Sequence, residues 1–131
     1  MIKRQYTLYM ENRPDALTRI SGILAKADVN IEGISIAESA DAALIQLIVD
    51  KEPAARKALV KAKIQHTTQD VSVIVLPHRP GILLALAAGL KNAKAHINYV
   101  YATAADADSQ CCIVVSASNL KSVERVARKL K

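Results

Sequence analysis

The chain has 131 residues, 51% of them hydrophobic and 23% charged, with 18 basic against 12 acidic side chains. That is enough apolar surface for one ordinary domain or two very small ones, and it excludes disorder and most multi-domain enzymes. The longest apolar runs reach about eight residues, far below the roughly 20 that span a bilayer. The basic start Met1–Tyr6 is not followed by an apolar stretch of about 7–15 residues, so no signal peptide is read and a soluble cytoplasmic protein is expected.

With no Phe or Trp, four Tyr and 22 Ala, the core must be assembled from Ile, Leu, Val and Ala. Residues 5–10 alternate, with Tyr6, Leu8 and Met10 on one face, and predict a strand. Pro14 suits the first turn of a helix, and Leu17, Ile20, Ile23, Leu24 and Ala27 then fall on one helical stripe. Residues 31–37 and 43–49 read as strands joined by the short polar stretch Glu38–Asp41. A second helix starts near Pro53 and carries Ala55, Ala58, Leu59 and Ala62 inward. Ile64–Thr67 is a candidate fourth strand.

The second half repeats that order. Val71, Val73 and Val75 alternate with Ser72, Ile74 and Leu76. Leu83, Leu86 and Leu90 follow Pro80. Strands are expected at 97–104 and 110–116, and a last helix packs Leu120, Val123, Val126 or Ala127, and Leu130. Asn12-Arg13-Pro14-Asp15-Ala16-Leu17 recurs as His78-Arg79-Pro80-Gly81-Ile82-Leu83, an offset of 66. Asn30 is paired with Asn98, as if two residues were added after the helix. The expected architecture is α+β: two ferredoxin-like units over residues 1–68 and 69–131, each an antiparallel sheet with its helices on one face. The second unit runs out of chain before a fourth strand, so its sheet edge is open or filled by another segment. An open edge invites pairing, within the chain or between two chains.

Several chemistries lack their residues. Cys111 and Cys112 are neighbours in a strand, so they point to opposite faces and suit neither a disulfide framework nor a zinc site. No nucleophile elbow, phosphate loop, paired carboxylates or metal-ligand spacing is present, so no catalytic residue, metal or cofactor is assigned. His66 and His96 read as exposed or capping residues. The net charge of +6 is dispersed, and its densest cluster, Lys121, Arg125, Arg128, Lys129 and Lys131, reads as a solvated helix end favoured by the helix dipole. A nucleic-acid partner is therefore disfavoured, as is a membrane. Base stacking, as in the RNA-recognition module of similar shape, would need strand aromatics, and no aromatic-rich signature surrounds Tyr6, Tyr9, Tyr99 or Tyr101. A metallochaperone's Cys-x-x-Cys loop and an acylphosphatase's glycine-rich cradle are also missing.

The twice-repeated Arg-Pro loop opens a helix, and Val29-Asn30-Ile31 or His96-Ile97-Asn98-Tyr99 opens the next strand. This resembles the ACT domain, the small ligand-binding regulatory module of amino-acid metabolism, over essentially the whole chain as two tandem copies. The resemblance implies an amino acid held between paired domains, contacted by the loop residues Asn12, Arg13, Pro14 and Asp15, or His78, Arg79, Pro80 and Gly81. It also implies contacts from Asn30, Ile31 and Asn98 at the strand starts. The residues suit such a ligand. A helix N-terminus attracts a carboxylate, and Asn offers both donors and an acceptor to a zwitterion. Asp15 in place of glycine and His78 in place of asparagine depart from the pattern, so one composite site per pair of units is expected. The implied protein is a non-catalytic sensor, a homodimer whose output passes to a separate enzyme or regulator. The competing expectations are an interaction module without ligand and a weak, salt-sensitive nucleic-acid binder.

Overall fold

The computed structural model of the chain describes residues 1–11, 14–104 and 109–131. The elements run β1 (Ile2–Glu11), α1 (Ala16–Lys26), β2 (Ile31–Glu38), β3 (Ala42–Val49), α2 (Glu52–Lys61), β4 (Gln65–Pro77), α3 (Ile82–Asn92), β5 (Ile97–Ala104), β6 (Gln110–Ala117) and α4 (Leu120–Leu130). The β-α-β-β-α order appears twice, as the periodicities predict. Two compact units result. The first is Arg4–Gln69, and the second joins Asp70–Lys131 to Met1–Lys3.

In the first unit the strand order is β2-β3-β1-β4, with β3 antiparallel to both its neighbours. The start of β4 supplies the fourth strand, close to the predicted Ile64–Thr67. In the second unit β6 runs antiparallel between β4 and β5. The missing fourth strand is supplied by the beginning of the same chain. The Met1 nitrogen donates to Val73 O at 2.9 Å, and Val73 N donates to Met1 O at 2.8 Å. One residue pair exchanging both bonds is the mark of an antiparallel ladder. Both units are thus complete ferredoxin-like βαββαβ arrangements, the second in permuted order.

Each unit has its own aliphatic core. Tyr6, Leu8, Ile45 and Leu47 meet Ile20, Leu24, Ala55 and Leu59 in the first. Ile74, Leu76, Cys111, Ile113 and Val115 meet Leu86, Leu90, Val123 and Ala127 in the second. Cys112 is half-buried on the opposite face from Cys111. Two stripe residues depart from expectation. Leu17 is 49% and Leu83 51% exposed. The inward positions are Ala16, Ile20, Leu24 and Ile82, Leu86, Leu90, and one further residue turns a side chain about 100° away from that line. The helices also begin later than the prolines suggest. Asp15 and Gly81 are the N-caps, so Pro14 and Pro80 lie just outside.

The helices α1, α2 and α3 end alike. Asp28, Lys63 and Lys94 adopt φ near +58°. The next amide reaches back five residues: Val29 N to Leu24 O at 2.9 Å, Ile64 N to Leu59 O at 3.0 Å, Ala95 N to Leu90 O at 2.9 Å. This is the Schellman arrangement. A left-handed non-glycine costs about 1 kcal/mol, offset here by the bond and by burial of Val29, Ile64 and Ala95.

These landmarks correct the repeat register. The offset of 66 holds from α1 and α3 through Asp28 and Lys94 to β2 and β5, and becomes 68 only at β3 and β6. The two added residues lie in the second hairpin, not after the helix. Asn30 therefore corresponds to His96, and Asn98 to Glu32.

Candidate ligand site

The helix N-termini set one half of the expected site. Asn12 and Arg13 lie outside the described residues. Pro14 and Asp15 are exposed. Arg19 N donates to Asp15 O at 2.8 Å, but the Asp15 side chain does not cap the helix. No acidic residue stands within the first turn of α1 or of α3. In the second unit His78 N donates to Ser109 O at 2.9 Å and Ile82 N to Arg79 O at 3.2 Å. Arg79 and Pro80 are exposed. Gly81 has φ +88°, with nothing within 4 Å of where a Cβ would stand. Glycine is needed there for backbone conformation rather than for close approach.

The strand starts set the other half. Asn30 is clasped by Asp50: its backbone N donates to Oδ1 at 2.9 Å and its Nδ2 to Oδ2 at 3.2 Å, while Asp50 N donates to Asn30 O at 3.2 Å. The neighbouring Lys51 Nζ donates to Asp28 O and Oδ2 at 2.8 and 2.9 Å. Ile31 pairs with Val49 and packs on the core. In the second unit His96 and Ser118 make the corresponding clasp, with His96 N donating to Ser118 Oγ at 2.9 Å and Ser118 N to His96 O at 2.8 Å. Asn98 is the extra residue of a β-bulge between Ile97 and Tyr99, a feature that re-aims a side chain. Its Nδ2 donates to Ser116 Oγ at 3.3 Å.

The Asn30 amide, first of all, holds the Asp50 carboxyl below its ordinary value, with the Asn30 side chain and Lys51 acting in the same direction. A lowered folded-state value means the clasp is intact above about pH 4 and is lost as pH falls through the folded value. The Asn30 amide proton is therefore expected to titrate with a midpoint below 3.8, followed by NMR. Asp50→Asn should remove that transition.

Within one unit the two halves stand apart. The Asp15 loop and Asn30 flank opposite ends of the eleven-residue α1, about 16 Å at 1.5 Å per residue. The 78–81 loop and His96 flank α3 in the same way. One unit alone cannot offer both to a single amino acid.

The first unit does contain a hollow between the end of β1, Arg19 of α1 and the turn that follows α2. It measures about 290 Å³ and is lined by Tyr9, Met10, Glu11, Arg19, Lys63, Ile64 and Gln65. Its lining residues carry both signs of charge, Glu11 against Arg19 and Lys63. The sequence reading missed Glu11, Arg19 and Lys63. They come from a strand end, a helix and a helix-to-strand turn, and no spacing rule links them. Among the described residues, no group of three or more His, Cys, Asp or Glu is arranged to hold a metal, and no helix is long and apolar enough to cross a membrane.

A twofold ferredoxin-like repeat, with an Arg-Pro loop before the first helix of each copy, is a tandem α+β module. The chain belongs to the ACT domain pair family, whose model matches residues 1–127. No curated protein matches it. Among solved structures it is similar to a protein from Bacteroides thetaiotaomicron, 29% identical, covering 98% of this chain and 88% of that one at a TM-score of 0.89. It also resembles the regulatory subunit of aspartate kinase from Thermus thermophilus in its ligand-free form (14% identity, 99% and 97% coverage, TM-score 0.72). The corresponding subunit from Thermus flavus is similar at 11% identity, with 99% and 95% coverage and a TM-score of 0.62. At such identities the last two speak for the fold.

Proposed function

We propose that this ACT domain pair is a non-catalytic cytoplasmic sensor that binds an amino acid where ACT units of two copies of the chain meet. The observation that carries the reading is the mixed-charge hollow between the end of β1, α1 and the turn after α2. Glu11 suits an ammonium group, and Arg19 and Lys63 suit a carboxylate. A volume of about 290 Å³ is ample for one amino acid. In this reading Asn12, Arg13, Pro14 and Asp15 form the rim on one copy, and Asn30 and Ile31 of the other complete the site. The parallel set is His78, Arg79, Pro80 and Gly81, with Asn98 and its neighbour His96. Asn30 keeps its side-chain oxygen available while Asp50 orients its amide.

Pairing has support of its own. β2 and β5 are outermost strands, and Ile34, Ile36 and Val100 on them are exposed, as are Leu17, Leu83 and Leu84. Uncovered edges with apolar side chains are what association buries. Ligand held across two copies favours one arrangement of the pair, and a separate enzyme or regulator that distinguishes arrangements would read it.

Calorimetric titration of variants with the amino acid that stabilises the wild type tests the site. Arg19→Ala is expected to weaken binding at least tenfold, about 1.4 kcal/mol, while the ligand-free melting temperature stays within about 2 °C, as for other surface changes. Asn30→Ala or Asn98→Ala should do the same. Unchanged affinity in all three would remove the site.

A further inference from the structure

A groove runs between α1 and α2 on the first unit. It holds about 550 Å³ and has a floor of Ile23, Ala27, Ala54, Ala58 and Ala62. Lys26 stands on the α1 wall and Lys57 and Lys61 on the α2 wall, and no acidic side chain lines it. The basic, apolar surface continues over the outer side of α2 through Pro53, Arg56 and Val60.

The second unit closes the same place with its own side chains. By the repeat register Gly89 stands at the position of Ile23, and Val126 and Leu130 at those of Ala58 and Ala62. Val126 and Leu130 pack on the second core. Val126 lies so close to α3 that a Cβ on Gly89 would meet its Cγ1 at 2.5 Å. In the first unit the bulk has moved to α1, with Ile23 in place of Gly89, while Ala58 and Ala62 stand where Val126 and Leu130 do, so the α2 face is left flat beside the groove.

We propose that the α1–α2 groove is a docking site for an acidic amphipathic helix of a separate protein. Alanines at three successive turns let a helix backbone approach closely, and the lined stretch from Ala54 to Ala62 extends about 12 Å, room for two turns of apolar anchors. Lysines on both walls select carboxylates flanking those anchors. Each of the helices α1 to α4 of this chain carries more basic than acidic side chains, so a second copy does not supply the acidic helix. A nucleic acid would leave the apolar floor unused. The proposal is independent of the ligand site.

The test pans two libraries of 14-residue helical peptides against the full chain. Apolar residues occupy positions i, i+3, i+4 and i+7 in both, with Glu and Gln elsewhere in one and Lys and Gln in the other. The acidic library is expected to yield binders whose affinity falls at least tenfold on Ile23→Gly/Ala58→Val/Ala62→Leu, which copies the second unit at these three positions. It should fall similarly on Lys57→Glu/Lys61→Glu, which leaves the floor intact, and weaken with added salt. Circular dichroism melts confirm that both variants fold. Binders indifferent to both variants, binders from the basic library alone, or none from either library would overturn the proposal.

Discussion

Removing Met1–Lys3 is expected to lower the stability of the Asp70–Lys131 unit by about 2–4 kcal/mol and to leave the Arg4–Gln69 core in place. Three effects add. Two backbone bonds to Val73 disappear, at about 1 kcal/mol each. Glu124 loses the Met1 nitrogen at 2.7 Å while it still accepts from the hydroxyl of the fully buried Ser72 at 2.9 Å. The β4 edge is bared from Asp70 onward, which invites association. Hydrogen exchange should show lost protection at Val73 and its strand neighbours, with Leu8, Ile45 and Leu47 unchanged. Denaturant unfolding should show an early transition absent from the intact chain. A single unshifted transition would mean that the second unit does not depend on a borrowed strand.

Gly89→Ile is expected to destabilise by about 3 kcal/mol, the upper end of overpacking. The first atom of the new side chain already falls 2.5 Å from Val126 Cγ1, and Val126 is β-branched and has few rotamers to retreat into. The informative variant is the double one. Gly89→Ile/Val126→Ala reproduces the pairing of Ile23 and Ala58 in the first unit, and should recover to within about 1 kcal/mol of wild type. That coupling is the size expected of residues in direct contact. Thermal or urea unfolding of the four proteins reads it. If the double variant is no better than Gly89→Ile alone, the two helix pairs are not interchangeable at this position.

The fold was largely legible because each element obeys its own period. The alternation of Tyr6, Leu8 and Met10 and the four-residue spacing of Ile20 and Leu24 both survive in the core. The edges of that reading failed where a choice depended on a fraction of a turn. Leu17 and Leu83 are apolar and next to the stripe, yet one residue rotates them into solvent. The repeat was legible too, but Asn30 attracted Asn98 by identity of residue. The structural partner is His96, fixed by a backbone clasp that either side chain permits. The origin of the fourth strand was not legible at all. A strand borrowed from 72 residues away carries no local signal, since the bonds between Met1 and Val73 are made by backbone atoms that any pair of residues supplies. The same holds for Glu11, Arg19 and Lys63, which come together from three elements. Conversely, the Arg-Pro loops stood out as a repeated word before any geometry was known, and they do precede the helices α1 and α3.

An amino acid that binds the folded chain must stabilise it. The most direct measurement is a thermal-shift screen of the intact chain against the twenty amino acids at millimolar concentration, with a salt series as control. A ligand at about 100 times its dissociation constant stabilises by roughly 2.7 kcal/mol, which raises the melting temperature by several degrees for a chain of this size. The expected result is a selective shift from one or a few related amino acids, small or apolar in side chain, that persists as salt is raised. A flat response to all twenty would contradict amino-acid binding by this chain.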